Sequence, residues 1–289
     1  MHTRARSDRV AVVTGASHGI GYQIAHTLAT SGNTVIVHAR TRAEAHQAVA
    51  HLVNDGADAL ALQPVVADFG RFAEVRAMAQ RIRATHRHVD LLVNNAATVG
   101  GTHRRLTDDG YELTFQVNYL AHYLLTRLLW PQLSQAPHGR VVNVSSALHR
   151  NGYLTWNDLD KTARYASVAA YAQSKLALTM LSRALASRDP HPAGAIDTVS
   201  VHPGVIATGT MRSIYGRYGA PVCDGADPVL YLCDAGNEVV NGAYYEGRML
   251  ATPAALVYDH ACVDRLWRLS AQLTGLGGTA PSSYAHSIS

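Results

Sequence analysis

The strongest constraint on this chain is an alternation that runs from one end to the other. Short, almost continuously apolar runs rich in Val, Ile and Leu are followed by stretches with helical spacing. The runs are VAVVTG (10–15), TVIVHAR (34–40), a strand within 59–68, VDLLVNNA (89–96), RVVNVSS (140–146), IDTVSVHPG (196–204) and GAYYEG (242–247). Helical patterns fall at 20–30, 43–52, 71–84, 113–130 and 170–185. A strand with one wet face alternates apolar and polar residues; these runs do not, so both of their faces are expected to be buried. The pattern predicts an α/β fold: one doubly wound, mostly parallel sheet of about seven strands with helices on both faces. No repeat period or low-complexity linker divides it. Residues 9–275 are expected to form a single domain, with 1–8 and 276–289 as flexible termini.

With 47% hydrophobic and 16% charged residues, 289 positions suffice for a large core. The net charge of +4 comes from scattered Arg, with no basic run interleaved with aromatics, so no nucleic-acid partner is expected. Three Cys without metal spacing and sixteen His without an HExxH pair argue for free thiols and no metal. Residues 1–9 lack an apolar core, and no run of roughly eighteen apolar residues occurs, so neither a leader nor a membrane anchor is expected. A cytoplasmic location is the corresponding expectation.

TGASHGIG (14–21) follows the first strand and opens the first helix. Gly15, Gly19 and Gly21 permit a tight turn, close backbone approach and helix–sheet contact. The helix start then offers unpaired N–H groups and a positive dipole end to a pyrophosphate. A Gly-rich turn alone signifies little, but strand before and helix after is the context dinucleotide binding requires. The second strand ends in His38-Ala39-Arg40, where an acid would hold the ribose 2′-OH of NAD(H). With no acid before Glu44, Arg40 favours the 2′-phosphate of NADP(H) over NAD(H), the plain alternative being a solvated surface Arg.

Three strand ends, NNAA (94–97), SS (145–146) and HPG (202–204), carry polar groups to the same predicted sheet edge. Each could be an ordinary turn; their convergence at the edge where open α/β sheets bind ligands favours one shared site. On the helix AYAQSKLALTMLSRAL (170–185), Tyr171 and Lys175 stand four apart and share a face. Lys is scarce here, occurring only at 161 and 175.

Thr14-Gly15-x3-Gly19-Ile20-Gly21, Asp68, Asn94-Asn95-Ala96, Asn118, Ser145, Tyr171-x3-Lys175 and Pro203-Gly204 together resemble a classical short-chain dehydrogenase/reductase over nearly the whole chain. VNYLAHYLLTRLL (117–129), RVVNVSS and LWRLSAQLTGL (266–276) are most similar to its retinol dehydrogenase-like branch. The resemblance implies a Rossmann domain with Tyr171 as acid/base. A free Tyr titrates near pH 10, and a nearby cation such as Lys175 brings it toward neutrality. Ser145 would polarise the substrate carbonyl, and Asn118 would anchor a proton-relay water. Implied cofactor contacts are Gly15, Ser17, His18, Gly19, Ile20, Gly21, Arg40, Asp68 at the adenine, Asn94 at a ribose, Ala96, Tyr171, Lys175, Pro203, Gly204 and Thr208 at the nicotinamide amide. Ala97 departs from the family's usual Gly. Tyr165, ten residues before Lys175, is a decoy for the base. The long middle helices suggest a homodimer or higher homo-oligomer.

The irregular stretch 205–227 reads as a substrate lid, and its Met211, Ile214, Tyr215 and Tyr218 suggest a hydrophobic substrate. The leading expectation is an NADP(H)-dependent carbonyl reductase or alcohol dehydrogenase acting on a ketone, aldehyde or polycyclic natural-product intermediate. A non-catalytic NADP(H)-binding sensor on the same fold is the alternative, although it could dispense with Ser, Tyr or Lys. An epimerase or dehydratase shares the Tyr-Lys pair but usually carries a larger C-terminal domain. A membrane-surface retinoid enzyme lacks a visible anchor helix.

Overall fold

The computed structural model describes residues 9–188, 196–206 and 219–277. Its strands are β1 Val10–Val13, β2 Thr34–Ala39, β3 Leu62–Val66, β4 Leu91–Asn94, β5 Gly139–Val144, β6 Ile196–His202, β7 Tyr244–Glu246 and β8 Met249–Ala251. They form one sheet in the order β3-β2-β1-β4-β5-β6-β7-β8. All pairs up to β7 are parallel; β8 returns antiparallel on β7. Strand order reverses between β1 and β4, which opens a crevice at the carboxyl ends of the strands.

Among the described residues, seven helices cover the sheet: α1 Gly19–Thr30, α2 Arg42–Asn54, α3 Phe72–Thr85, α4 Ala121–Leu133, α5 Ser167–Ala186, α6 Val222–Cys233 and α7 His260–Leu273. Successive strand residues serve opposite faces, as a period of two requires. Val12, Ile36 and Leu92 pack with α3, α4, α5 and α7, whereas Ala11, Val13, Val35 and Val93 pack with α1, α2 and α6. This double burial explains why the strand sequences lack alternation.

The structure departs from the sequence-based expectation in several places. Beyond the seven runs read from the sequence, the sheet gains one short edge strand, β8, whose Met249 and Leu250 are exposed. The expected helix over 113–130 is wound in three parts. A turn at Leu113–Phe115 leads into a π-helical segment, Gln116–Leu120, before α4 begins. The expected lid is partly helix, since residues 222–227 open α6. Gly225 and Pro228 hide that helix in the sequence, yet a Cβ at Gly225 would crowd Ile20 and Ile206. Residues 207–218, with Thr208, Met211, Ile214, Tyr215 and Tyr218, lie outside the described residues, as do 1–8 and 278–289. Leu276 still packs on the core, so the fold continues past 275.

Helix α7 lies against the long middle helices. Tyr119 Oη is 2.6 Å from Ser270 Oγ, the Tyr123 and Trp267 rings meet edge-on at 5.1 Å, and Val263 and Leu266 enter the core. No helix among the described residues is long and apolar enough to cross a membrane.

Candidate active site

At the carboxyl edge of the sheet a cleft of about 680 Å³ runs from the β1–α1 turn to the start of α5. Its first wall is the glycine turn. Gly15 (φ +64°) and Gly19 (φ +61°) adopt left-handed backbone, and a Cβ at Gly21 would collide with Gly15 O and Asn95 Nδ2. His18 precedes α1 in extended conformation, and its side chain makes no capping hydrogen bond to the N–H groups at the helix's positive end. Thr14 Oγ1 accepts N–H bonds from Asn95 (2.8 Å) and Ala96 (3.0 Å), and Asn95 Nδ2 donates to Thr14 O at 2.8 Å. The ends of β1 and β4 are thereby locked together.

Beneath this turn sit two buried histidines. His38 Nδ1 accepts the Gly15 N–H at 3.0 Å, and its Nε2 is 2.9 Å from Ala67 O. A carbonyl only accepts, so Nε2 carries the proton and the ring is neutral. His122 Nδ1 likewise donates to Asn118 O at 3.0 Å, which leaves Nε2 unprotonated 3.1 Å from the Thr14 hydroxyl, whose one proton it shares with Val93 O, also at 3.1 Å. Phe69 stacks on His38 (4.4 Å) and meets His122 edge-on (5.2 Å). Burial is the main cause pushing the His38 imidazole down to about 4 and that of His122 to about 3. Both rings therefore act as fixed neutral braces.

Gly15, Ser17, His18, Gly19, Ile20, Gly21, Arg40, Asp68, Ala96, Pro203 and Gly204 all line the cleft. Arg40, largely exposed just past β2, lies 3.5 Å from Glu44, whose carboxylate also completes the capping box of α2 with Thr41. The first acid after β2 thus faces the same cleft as the arginine. Asp68 Oδ1 accepts from Gly70 N at 2.8 Å. Asn94 departs from its expected place. Its side chain is buried, donating to Thr126 Oγ1 (3.0 Å) and Asn143 Oδ1 (2.8 Å), and Asn95 lines the cleft instead. A strand residue and its neighbour point to opposite faces, so only one of the two Asn side chains can reach the cleft. Ala97 is accommodated in the cleft wall.

The far wall carries the reactive set. Ser145 follows β5 immediately, and its N–H donates to Val201 O at 2.7 Å. Tyr171 and Lys175 stand one turn apart on α5, with Lys175 Nζ 5.6 Å from the centroid of the Tyr171 ring. Ser145, Tyr171 and Lys175 all line the cleft. Lys175 is buried and donates to Val144 O at 2.8 Å; burial brings its ammonium down to about 7. Asn118 is fully buried in the π-helical segment. It pairs with the Thr98 backbone (2.8 and 2.9 Å) and donates to Ser174 Oγ at 3.0 Å, so it ties the loop after β4 to α5 without lining the cleft. Tyr165 is turned away: its Oη fills the space a side chain on Gly100 would need.

Sequence reasoning passed over several lining residues. His38, Phe69 and Asn95 come from strand ends whose motifs drew attention to their neighbours. His202 lies in the HPG turn of the sequence; it lines the cleft, burial lowers its pKa, and its Nδ1 is buried with no hydrogen-bond partner among the described residues. The uncapped helix start, the glycines without room for a Cβ and the Arg40 side chain suit a dinucleotide. The Ser-Tyr-Lys wall suits proton donation to an oxygen held in the remaining space.

Comparison with known proteins agrees with this geometry. The family described as short chain dehydrogenase matches residues 9–218. Human retinol dehydrogenase 13 is 32% identical over 295 residues, covering 95% of this chain and 86% of its own. Polyprenol dehydrogenase of Danio rerio is 34% identical over 300 residues, with 94% and 88% covered. A protein of Streptomyces sp. (strain C5) named as a daunorubicin C-13 ketoreductase is 32% identical over 279 residues, covering 92% and 93%. The crystal structure of an uncharacterised protein from Mycobacterium paratuberculosis superposes with a TM-score of 0.78 at 27% identity, covering 94% and 95%. A protein from Escherichia coli CFT073, described as a short chain dehydrogenase complexed with NADPH, gives a TM-score of 0.70 at 25% identity, covering 84% and 98%.

Proposed function

The chain belongs to the short chain dehydrogenase family, and from that premise we propose that it is an NADP(H)-dependent oxidoreductase interconverting a carbonyl and an alcohol on a hydrophobic small molecule. The observation that carries this reading is the placement of Ser145, Tyr171 and Lys175 on one wall of a cleft whose other end is the glycine turn and Arg40. When bound, the nicotinamide supplies or accepts the hydride. The protein's part is to bind, orient and manage a proton. Ser145 Oγ donates a hydrogen bond to the substrate oxygen, and Tyr171 Oη passes it a proton as the carbonyl is reduced. In its protonated form Lys175 places a cation beside the phenol, which favours the phenolate left behind. Asn118 holds the Thr98 backbone and α5 in register around that group.

Arg40 supports NADP(H) over NAD(H): a guanidinium matches a phosphate in charge and fork geometry, and no carboxylate ends β2. A substrate of apolar character is supported by Val117, Leu148, Val205 and Ile206 in the lining. Relatives named for retinol, polyprenol and daunorubicin point to the same class. The test follows NADPH consumption with acetophenone, benzaldehyde, menadione and all-trans-retinal, and titrates NADPH and NADH separately by fluorescence. Turnover of at least one carbonyl with NADPH bound at least tenfold more tightly is the expected result; equal affinities sink the NADP(H) assignment.

A further inference from the structure

Behind Ser145 stands a hydroxyl with no part in the reaction described so far. Thr179 is buried, one turn beyond Lys175 and two beyond Tyr171 on α5. Its Oγ1 lies 2.7 Å from Ser145 Oγ, and both hydroxyls reach the same acceptor, Lys175 O, at 2.9 Å from Thr179 and 3.2 Å from Ser145. Each hydroxyl has one proton, so they cannot both donate to each other and to that carbonyl. In one arrangement Thr179 donates to Lys175 O, and the Ser145 proton is parked on Thr179. In the other, Ser145 donates to Lys175 O while Thr179 donates to Ser145.

Neither arrangement aims the Ser145 proton into the cleft. When a carbonyl oxygen accepts a hydrogen bond from Ser145, the rear of Ser145 Oγ is left facing Thr179, whose hydroxyl can then rotate from Lys175 O to donate to it. The resulting chain, Thr179 to Ser145 to substrate oxygen, polarises the serine O–H, because each hydrogen bond in a series strengthens the next. We propose that Thr179 is a positioning residue that turns the Ser145 hydroxyl toward the substrate and strengthens it as a donor. The proposal rests on the reading of Ser145 and Tyr171 given above. The competing account is local: a buried Thr within a helix commonly satisfies the carbonyl four residues back, and that alone would explain the contact with Lys175 O.

Thr179→Val is nearly isosteric and keeps the methyl packing, and Thr179→Ser restores the hydroxyl alone. Both are compared with the parent and with Tyr171→Phe, using NADPH and whichever of acetophenone, benzaldehyde, menadione and all-trans-retinal turns over fastest. The readouts are kcat, KM, NADPH Kd by fluorescence and Tm. Thr179→Val should lower kcat about three- to tenfold, the range of one lost hydrogen bond, with KM and NADPH Kd within about twofold. Thr179→Ser should recover most of the loss. If Thr179→Val keeps the parent's kcat while Tyr171→Phe is inactive, the positioning role is wrong and the site reading stands. If kcat falls equally in Val and Ser variants together with Tm, the residue is merely structural. Full activity of Tyr171→Phe would overturn the underlying reading, and this proposal with it.

Discussion

The two buried histidines at the nucleotide end of the cleft spend both ring nitrogens on the protein. At the opposite end, Lys175 spends one N–H on Val144 O, and Ser145 has its proton contested by two oxygens. Both ends belong to one sheet edge and both are buried, so burial does not distinguish them. What differs is whether hydrogen-bonding capacity is closed or held in reserve. The glycine turn has one shape to keep, and braces that cannot exchange partners suit it. A reacting wall must hand its protons to something absent from the resting fold, so its groups keep capacity unspent.

The harshest way to break this comparison is to remove the reserve. Tyr171→Phe keeps the ring and deletes the transferable proton. A loss of about 10²–10⁴ in kcat is expected, with NADPH affinity nearly intact. Steady-state turnover beside a fluorescence titration reads both, and a fully active Phe variant would return Tyr171 to a packing role.

The nucleotide end should respond to acid rather than to loss of a proton donor. His38 titrates near 6.5 when unfolded and about 4 in the fold. Its folded pKa is depressed, so the stability it contributes is present above 6.5 and is lost as pH falls through the window toward 4. Between pH 7 and 5 the ring alone should cost about 2 kcal/mol of unfolding free energy. His122, shifted the same way, adds to the acid sensitivity of the parent. Urea titrations at the two pH values should show a smaller drop for His38→Asn than for the parent; equal drops would mean that His38 is no neutral brace.

Arg40→Ala sharpens the contrast at the rim of the same end. The side chain is about two-thirds exposed, so its contact with a phosphate falls at the low end of charge-assisted bonds. About 1.5 kcal/mol, or roughly tenfold in NADPH Kd, is expected, with NADH unchanged. Parallel titrations of the two cofactors decide it. The smallest effect is predicted for Ala97→Gly: restoring the more usual residue in an already accommodating wall should move NADPH Kd less than about twofold.

The parts of the molecule legible in the sequence are those where one physical demand sets the residue type. Strands buried on both faces announced the parallel sheet, and Gly15 and Gly21 are required by backbone geometry alone. Tyr171 and Lys175 revealed themselves by sharing a helical face. His38 and His122 did not, because a buried neutral histidine leaves no spacing signature; only the carbonyls it meets give it a role. Asn94 misled because two adjacent Asn look equivalent until the strand sends one inward. Helix α6 was hidden by Gly225 and Pro228. Helix α7 turns Val263, Leu266, Trp267 and Ser270 inward at helical spacing, with Asp264, Arg265 and Arg268 interleaved between them in the sequence.

That last helix sets a timetable for the molecule's birth. Tyr119 waits 151 residues for Ser270, and Arg76 waits 198 for the Thr274 carbonyl. A ribosome adds about 5–20 residues each second, so roughly 8–30 seconds separate Tyr119 from the residue that covers it. Until those last residues emerge, Tyr119 and Tyr123 lack the cover that Ser270 and Trp267 give them in the finished fold.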